Sequence, residues 1–213
     1  MIDGVTVTPV ELAVSDETLL ATDIAVDTEG HVYVSGYIWE TAPDSASVAY
    51  WVDNGSGKVE LSTELSSESN GISLYGGDIY IAGRDFTGGA SRASYWENNG
   101  SSRTDLTTVG ARAASVWTGN GSVYVAGTYY NSVEGRFQAA YWVNSASGET
   151  NLDGDGSSSR SDAYGIAVSG SAVYVSGTQT VGGTAEAVYW KNGSLNVIVS
   201  GVESRANMIF ISP

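Results

Sequence analysis

The chain has 213 residues, a formal net charge of −15 and no cysteine, and only 15% of its residues are charged. A protein that binds the phosphate backbone needs clustered Lys and Arg, so this balance excludes nucleic acid as a partner and argues against an anionic membrane surface. Without cysteine there is no disulfide and no thiolate chemistry. No apolar run approaches the ~20 residues of a membrane span, and we expect no membrane insertion.

The first predicted feature along the chain is a tandem repeat marked by the dipeptide Tyr-Trp. The dipeptide occurs four times, at steps of 45, 46 and 48 residues. A fixed aromatic pair at a period in the forties is typical of repeat architectures. The four predicted units span residues 21–66, 67–110, 111–160 and 161–203.

Each unit contains four short segments in the same order. The fourth unit shows them as Ile166-Ala167-Val168, then Val173–Gly177, then Val188-Tyr189-Trp190 and finally Asn196–Val199. Such runs of β-branched and aromatic residues, separated by turn residues, predict an antiparallel meander. Asn-Gly pairs predict hairpin turns because both residues accept positive φ. These pairs are Asn54-Gly55, Asn99-Gly100, Asn120-Gly121 and Asn192-Gly193.

Four strands in about 45 residues are typical of a β-propeller blade. The two ends predict a fifth unit, formed by residues 1–20 and 204–213 together, because Arg205–Ser212 aligns with Asp162–Ser169 and Val10–Leu12 resembles Val59–Leu61. We therefore predict a single all-β domain, a β-propeller of five antiparallel blades. Its closing blade would be shared by the N- and C-terminal strands, which would remove exposed sheet edges.

The repeat unit also carries a resemblance. The pattern Val-Tyr-Val-Ser/Ala-Gly followed by Tyr-Trp-x-Asn-Gly, clearest at Val173–Gly177 and Val188–Gly193, resembles a bacterial propeller-like repeat family of cell-surface and secreted proteins. The third unit departs from it at Trp142–Ser145. The resemblance implies a propeller and a secreted or cell-surface location in a bacterium. It implies no catalytic residues, because members of the family largely have no assigned function.

Candidate metal and cofactor chemistry is sparse. His31 is the sole histidine and falls in a predicted turn, where a solvated role is expected. Asp153 and Asp155 begin a stretch that resembles a calcium loop, yet Tyr164 stands where the bidentate Glu belongs and Arg160 brings a positive charge. These two aspartates remain a weak metal candidate. We expect no cofactor.

Catalysis by paired carboxylates is also poorly supported. Propeller glycosidases need two or three acids around the axis, and the predicted inner strands offer only Asp23. We therefore expect a protein that is not an enzyme, with a propeller-type glycoside hydrolase as one alternative. A purely structural fragment of a longer repeat array is the other alternative.

Aromatic residues follow the second strand of three units at matched positions. Trp39, Phe86 and Tyr130 lie three residues beyond the strand's glycine, and Tyr37 and Tyr129 lie beside them. Aromatic faces on loops suit stacking against a sugar or a peptide, although packing at the rim between blades is the better-supported explanation of these residues. We expect a monomeric, non-enzymatic binding or scaffold domain that recognises a carbohydrate or a protein loop.

Overall fold

In this computed structural model the described residues form sixteen strands, arranged as four antiparallel sheets of four consecutive strands each. No helix in the described part of the chain is long and apolar enough to cross a membrane. The structure describes residue 12 and residues 18–39, 46–53, 57–62, 67–86, 89–98, 100, 102–107, 110–153, 156 and 158–211.

Each sheet corresponds to one predicted repeat unit, and its strands run from an inner first strand to an outer fourth strand. The first sheet contains β1 (Thr18–Val26), β2 (Val32–Trp39), β3 (Ala46–Val52) and β4 (Val59–Glu60). The second contains β5 (Glu68–Tyr75), β6 (Asp78–Asp85), β7 (Arg92–Glu97) and β8 (Ser102–Asp105). The third contains β9 (Ala111–Gly119), β10 (Ser122–Asn131), β11 (Arg136–Val143) and β12 (Glu149–Asn151). The fourth contains β13 (Arg160–Ser169), β14 (Ala172–Val181), β15 (Thr184–Lys191) and β16 (Ser194–Val197).

A β-bulge interrupts the inner strand of every sheet at the same place. It inserts one residue into the inner strand, as Tyr164 is inserted into β13 between Ala163 and Gly165. The facing position on the second strand is the glycine of the sequence pattern, because an inner-strand carbonyl approaches it closely. A Cβ on Gly177 would lie 2.1 Å from the Asp162 carbonyl oxygen, and one on Gly127 would lie 2.1 Å from that of Arg112. The bulge therefore requires a glycine at the facing position of the second strand.

A second repeated device closes the turn after the third strand. An Asp or Asn two residues beyond the Trp has positive φ, and its side-chain oxygen accepts a backbone N–H from the first or second residue of the second strand. Asn192 Oδ1 accepts from Val173 N at 2.8 Å, and Asn98 Oδ1 accepts from Ile79 N at 3.0 Å. The predicted Asn-Gly turns are confirmed at Asn120-Gly121 and Asn192-Gly193, where both residues have positive φ. Asn54 and Asn99 lie outside the described residues.

Neighbouring sheets stack face to face, and the Tyr-Trp pair gives each interface a direction. The tryptophan of one sheet packs toward the preceding sheet, and the tyrosine packs toward the next. Tyr50 and Trp96 share the cluster between the first two sheets, and Tyr95 and Trp142 share the next cluster. All four tryptophans of the pairs are at most 1% exposed.

A leucine after the fourth strand completes each interface. Leu61, Leu106 and Leu152 are 7%, 2% and 4% exposed and lie in the three successive clusters between sheets. Leu12 packs against the cluster that contains Trp51, on the face of the first sheet turned away from the second. Leu12 thus makes the contact that the interface leucine of a preceding unit would make there.

At the other end of the stack, the C-terminal segment covers part of the fourth sheet. Gly165 packs against Met208 and Ile209 of the C-terminal segment as Gly71 packs against Ser115 and Val116 of β9. Met208 and Ile209 therefore lie against β13 as β9 lies against β5, although residues 203–211 form no strand. Ile198 occupies the position of the interface leucines but is 55% exposed.

The all-β architecture is confirmed, with four antiparallel sheets of four strands among the described residues. The described part of the chain does not close into a ring. The predicted pairing of the C-terminal strand with residues 5–14 falls on residues that, apart from Leu12, lie outside the described ones.

Candidate functional site

An open cleft of about 420 Å³ lies at the end of the stack where second strands end and inner strands begin. It spans the second, third and fourth sheets and the C-terminal segment. Four of the chain's seven arginines line it, although the protein as a whole is strongly acidic. The described lining residues are Arg84, Ser91, Gly110, Ala111, Arg112, Thr128, Phe137, Arg160, Asp162, Tyr164 and Arg205.

The repeated bulge places the charged groups of this cleft. Arg112 and Asp162 each occupy the inner-strand position whose carbonyl faces the second-strand glycine of the repeat pattern. Arg205 corresponds to Asp162 in the alignment of the C-terminal segment with β13. Because these positions are equivalent in successive units, the stacking of the sheets brings their side chains to one end of the molecule.

Two of the four arginines are neutralised by neighbouring acids. Arg84 donates to Glu68 through Nε at 2.9 Å and through Nη2 at 2.8 Å. Arg160 donates to Asp162 through Nε at 2.6 Å and through Nη2 at 3.0 Å. The hydrogen bond to Asp162 raises the pKa of Arg160 above its ordinary value. Both pairs are bidentate, which leaves those guanidiniums little capacity for a further anion.

The other two arginines keep their charge uncompensated. None of the described carboxylates forms an ion pair with Arg112 or Arg205. Both guanidiniums approach the ring of Tyr164, with the Cζ of Arg205 3.8 Å and the Cζ of Arg112 5.9 Å from its centroid. The aromatic ring attracts the cations and holds them at one place. The cleft therefore contains two positioned cations with free donors.

An unpaired hydroxyl lies in the wall of the same cleft. Thr128 stands opposite Arg112 in the register of β9 and β10 and is 5% exposed. Its Oγ1 is buried and has no hydrogen-bond partner among the described residues. A buried polar atom without a partner is costly, and such atoms are concentrated where a ligand or a water completes the bonding.

The predicted aromatic residues lie at this end of the molecule but outside the cleft. Trp39 is exposed at the end of β2, and Tyr37 contacts it edge to face at a centroid distance of 5.9 Å. Phe86 is half-buried under the guanidinium of Arg84, 4.7 Å away. Trp39 and Tyr37 thus form one pair, and Phe86 supports an arginine of the cleft.

Tyr129 and Tyr130 line a second cleft of about 620 Å³ between the second and third sheets. Tyr130 contacts Phe137 edge to face at 5.3 Å, which connects it to the arginine-lined cleft. Tyr129 donates to Gln138 at 3.3 Å and packs edge to face on Trp142. Burial, with the nearby Glu149 carboxylate, raises the pKa of Tyr129 to about 12. Tyr129 is thus a packing residue, whereas Tyr130 presents an exposed ring.

The weak metal candidate has a different role in the part that the structure describes. Asp153 is buried, forms an ion pair with Arg136 at 3.1 Å and accepts the Ser158 hydroxyl at 2.7 Å. Asp155 lies outside the described residues. Within the described ranges no group of three His, Asp or Glu side chains is placed to hold a metal ion.

The expectation that the inner strands offer only Asp23 is wrong, because β5 also contains Glu68 and β13 contains Asp162. Asp23 and the single histidine are both bound within the fold. Asp23 Oδ2 accepts from Ile72 N at 3.0 Å, which joins the first sheet to the second. His31 Nδ1 lies 3.0 Å from Asp27 Oδ2 in the exposed turn before β2. The interaction with Asp27 raises the pKa of His31 above 6.5. Neither side chain lines the arginine-lined cleft.

The sequence pattern did not reveal the arginine-lined cleft, although one signal for it was present. The alignment of Arg205–Ser212 with Asp162–Ser169 places a charged residue at equivalent inner-strand positions. The approach of Arg112 from the adjacent unit depends on how the sheets stack. The sequence pattern of a single strand does not predict that stacking.

Comparison with models of known protein families and with curated protein sequences finds no match for this chain. The function is therefore inferred from the geometry of the cleft.

Proposed function

We propose that the protein is a non-enzymatic binding domain whose ligand face is the end of the stack that carries the arginine-lined cleft. The observation that carries the proposal is the pair Arg112 and Arg205, held on Tyr164 without a carboxylate partner among the described residues. Groups that are positioned and unpaired are available to a ligand. A glycan or a protein loop is the ligand class, with Trp39 and Tyr130 as exposed stacking surfaces beside the cleft.

The chemistry of the cleft supports binding over hydrolysis. Its sole described acid, Asp162, is bound in a bidentate pair by Arg160. A glycosidase requires two carboxyl groups placed on either side of the scissile bond. The cleft instead offers guanidinium and hydroxyl donors, which recognise a ligand without transferring a proton at neutral pH.

We propose further that the domain is a five-bladed propeller closed by its two termini. Leu12 fills the position of an interface leucine before the first sheet, and Met208 and Ile209 lie against β13 as β9 lies against β5. Apolar side chains remain exposed at both ends, as at Ile24 and Ile198. Contiguous exposed apolar surface marks a contact that has yet to be made, and closure would bury both ends at once.

We place the domain at the surface of a bacterium or in its secretions, as the repeat resemblance implies, and its polar, acidic composition suits that location. A purely structural array fragment would have no reason to keep two uncompensated arginines at one site.

The proposal is tested by screening the labelled protein on a glycan array and on a peptide library. The Arg112→Ala variant should lose the hits that the wild-type protein gives. Lys191→Ala is the matched control, because it removes the same charge at the turn between β15 and β16. A wild-type protein that binds nothing on either array contradicts the binding function. Release of product from a bound glycan would contradict the non-enzymatic assignment.

A further inference from the structure

We propose that Arg112, Arg205 and Thr128 recognise the carboxylate and an adjacent hydroxyl of a terminal acidic sugar. This inference rests on the proposed binding function and names its ligand class. It follows from the charge, the geometry and the remaining lining of the arginine-lined cleft.

The two guanidiniums are suited to a carboxylate. Arg205 lies at van der Waals distance above the Tyr164 ring, with its Cζ 3.8 Å from the centroid. A guanidinium held on an aromatic face keeps its N–H edge available, and that edge matches the two oxygens of a carboxylate. Arg112 approaches the same ring at 5.9 Å and supplies a second set of donors. The carboxylate would therefore replace the ion pair that both arginines lack among the described residues.

The rest of the lining fits a sugar better than a peptide. Of the described lining residues only Ala111 and Phe137 have purely apolar side chains, so there is no apolar pocket to receive a peptide side chain. Ser91, Thr128 and the Tyr164 hydroxyl can donate and accept, as sugar hydroxyls require. The cleft of about 420 Å³ has a volume suited to a mono- or disaccharide.

The negative charge of the whole protein favours a ligand with one terminal carboxylate over a long polyanionic ligand. The net charge is −15, so a long anionic chain would be repelled over most of the surface. A single carboxylate at the end of a glycan meets the two positive groups and leaves the acidic surface untouched. Arg84 and Arg160 are engaged by Glu68 and Asp162 and add no free charge.

The test is a two-dimensional NMR titration with 3′-sialyllactose and with methyl β-D-glucuronide. Lactose and methyl β-D-glucoside are the matched neutral ligands, because each lacks the carboxylate. We expect saturable shifts of the Arg112, Thr128 and Arg205 resonances with the acidic ligands and at least tenfold weaker binding of the neutral ones. Arg112→Gln and Arg205→Gln should each weaken binding at least tenfold, whereas Lys191→Gln should change it less than twofold.

Three results would overturn the inference. They are the absence of saturable binding by both acidic sugars, equal binding of acidic and neutral ligands, and unchanged affinity in both arginine variants. Inorganic sulfate that binds as tightly as the acidic sugars would show a general anion site, and a tighter acidic peptide, tested as acetyl-Asp-Gly-amide, would reject the sugar. Array hits that are neutral, or peptides that bind elsewhere, would leave the proposed binding function standing while rejecting this ligand.

Discussion

Leu12 packs in the side-chain cluster around Trp51 in the same way as Leu61 packs in the cluster around Trp96. In both cases the leucine covers the tryptophan of the following sheet. Leu12 precedes all four described sheets in the sequence, so this contact on the first sheet comes from a residue outside them. At the opposite end, Ile198 occupies the position of an interface leucine but is exposed, because none of the described residues covers it. This relationship is the structural basis for expecting the two termini to complete one blade.

Closure of the ring predicts that Ile24 and Ile198 are buried in solution. Ile24→Ala and Ile198→Ala should each cost about 2 kcal/mol, as for a core isoleucine. Ile166→Ala is the reference, because Ile166 is 6% exposed, against 61% for Ile24 and 55% for Ile198. Urea unfolding measures all three. Losses below about 0.5 kcal/mol for both end variants are the values for exposed side chains and would contradict closure.

The C-terminal segment gives an independent test of closure. Removal of residues 205–213 should uncover the face of β13 around Gly165, where Met208 and Ile209 pack. We expect a lower melting temperature and association at high concentration, because a sheet face and an edge become free. Thermal unfolding and light scattering measure the two effects. A truncated protein that stays monomeric with the wild-type melting temperature would show that this segment closes nothing.

The tryptophans of the repeat should be strongly stabilising. Trp96→Ala and Trp190→Ala should each cost ~3–5 kcal/mol, because each indole is 1% exposed between two sheets. Trp39→Ala is the control, since Trp39 is 44% exposed at the end of β2 and should cost less than about 1 kcal/mol. Denaturant titration of the three variants gives the free energies of unfolding to be compared. Equal losses in all three variants would mean that burial between sheets does not govern the effect.

The second-strand glycine should tolerate no side chain. Gly177→Ala would place a Cβ 2.1 Å from the Asp162 carbonyl oxygen and 2.8 Å from the Trp190 ring, and we expect a loss of about 3 kcal/mol. Gly182→Ala is the matched control. It has positive φ but no atom within 4 Å of the added Cβ, so only about 1 kcal/mol of backbone cost is expected. A smaller loss at Gly177 than at Gly182 would contradict the close approach at the bulge.

The stability contributed by His31, in the turn before β2, should fall as pH rises. The interaction with Asp27 raises the pKa of His31 above 6.5, so its contribution to stability is full below pH 6.5 and is lost as pH rises through the folded pKa. An NMR titration of the sole histidine measures the value directly. Asp27→Asn should return it toward 6.5, whereas Glu29→Gln should change it little, because Glu29 is the weakest contributor. An unshifted pKa in the wild-type protein would contradict the pair.

The repeat units were predictable because their signals are local. Tyr-Trp, the second-strand glycine and the turn asparagines each report a contact within one sheet or with the adjacent sheet. The third unit shows where this reasoning stopped short. Asn144 has positive φ and accepts from Val123 N at 2.8 Å, so that unit keeps the turn although Ser145 replaces the glycine. The informative residue is the Asp or Asn two positions after the Trp.

The site was less predictable because it depends on three units at once. The expectation that the aromatic residues lie on loops after the second strands holds for Phe86, whereas Trp39 and Tyr130 lie within the strands β2 and β10. The sequence also could not show that Arg84 would cover Phe86. The pairing of Arg160 with Asp162 and the freedom of Arg112 follow from side-chain geometry at the bulges. A period of about 45 residues indicates which positions are equivalent, but not which of their charges compensate each other.

The direction given by the Tyr-Trp pair bears on how such a chain can change its length in evolution. Every contact between sheets joins two different faces, so an additional unit presents the correct face on each side wherever it is inserted. Duplication of one unit therefore creates no mismatched junction among the described sheets. Under the proposed closure, the number of units would instead be limited by the two terminal segments, which would still have to meet.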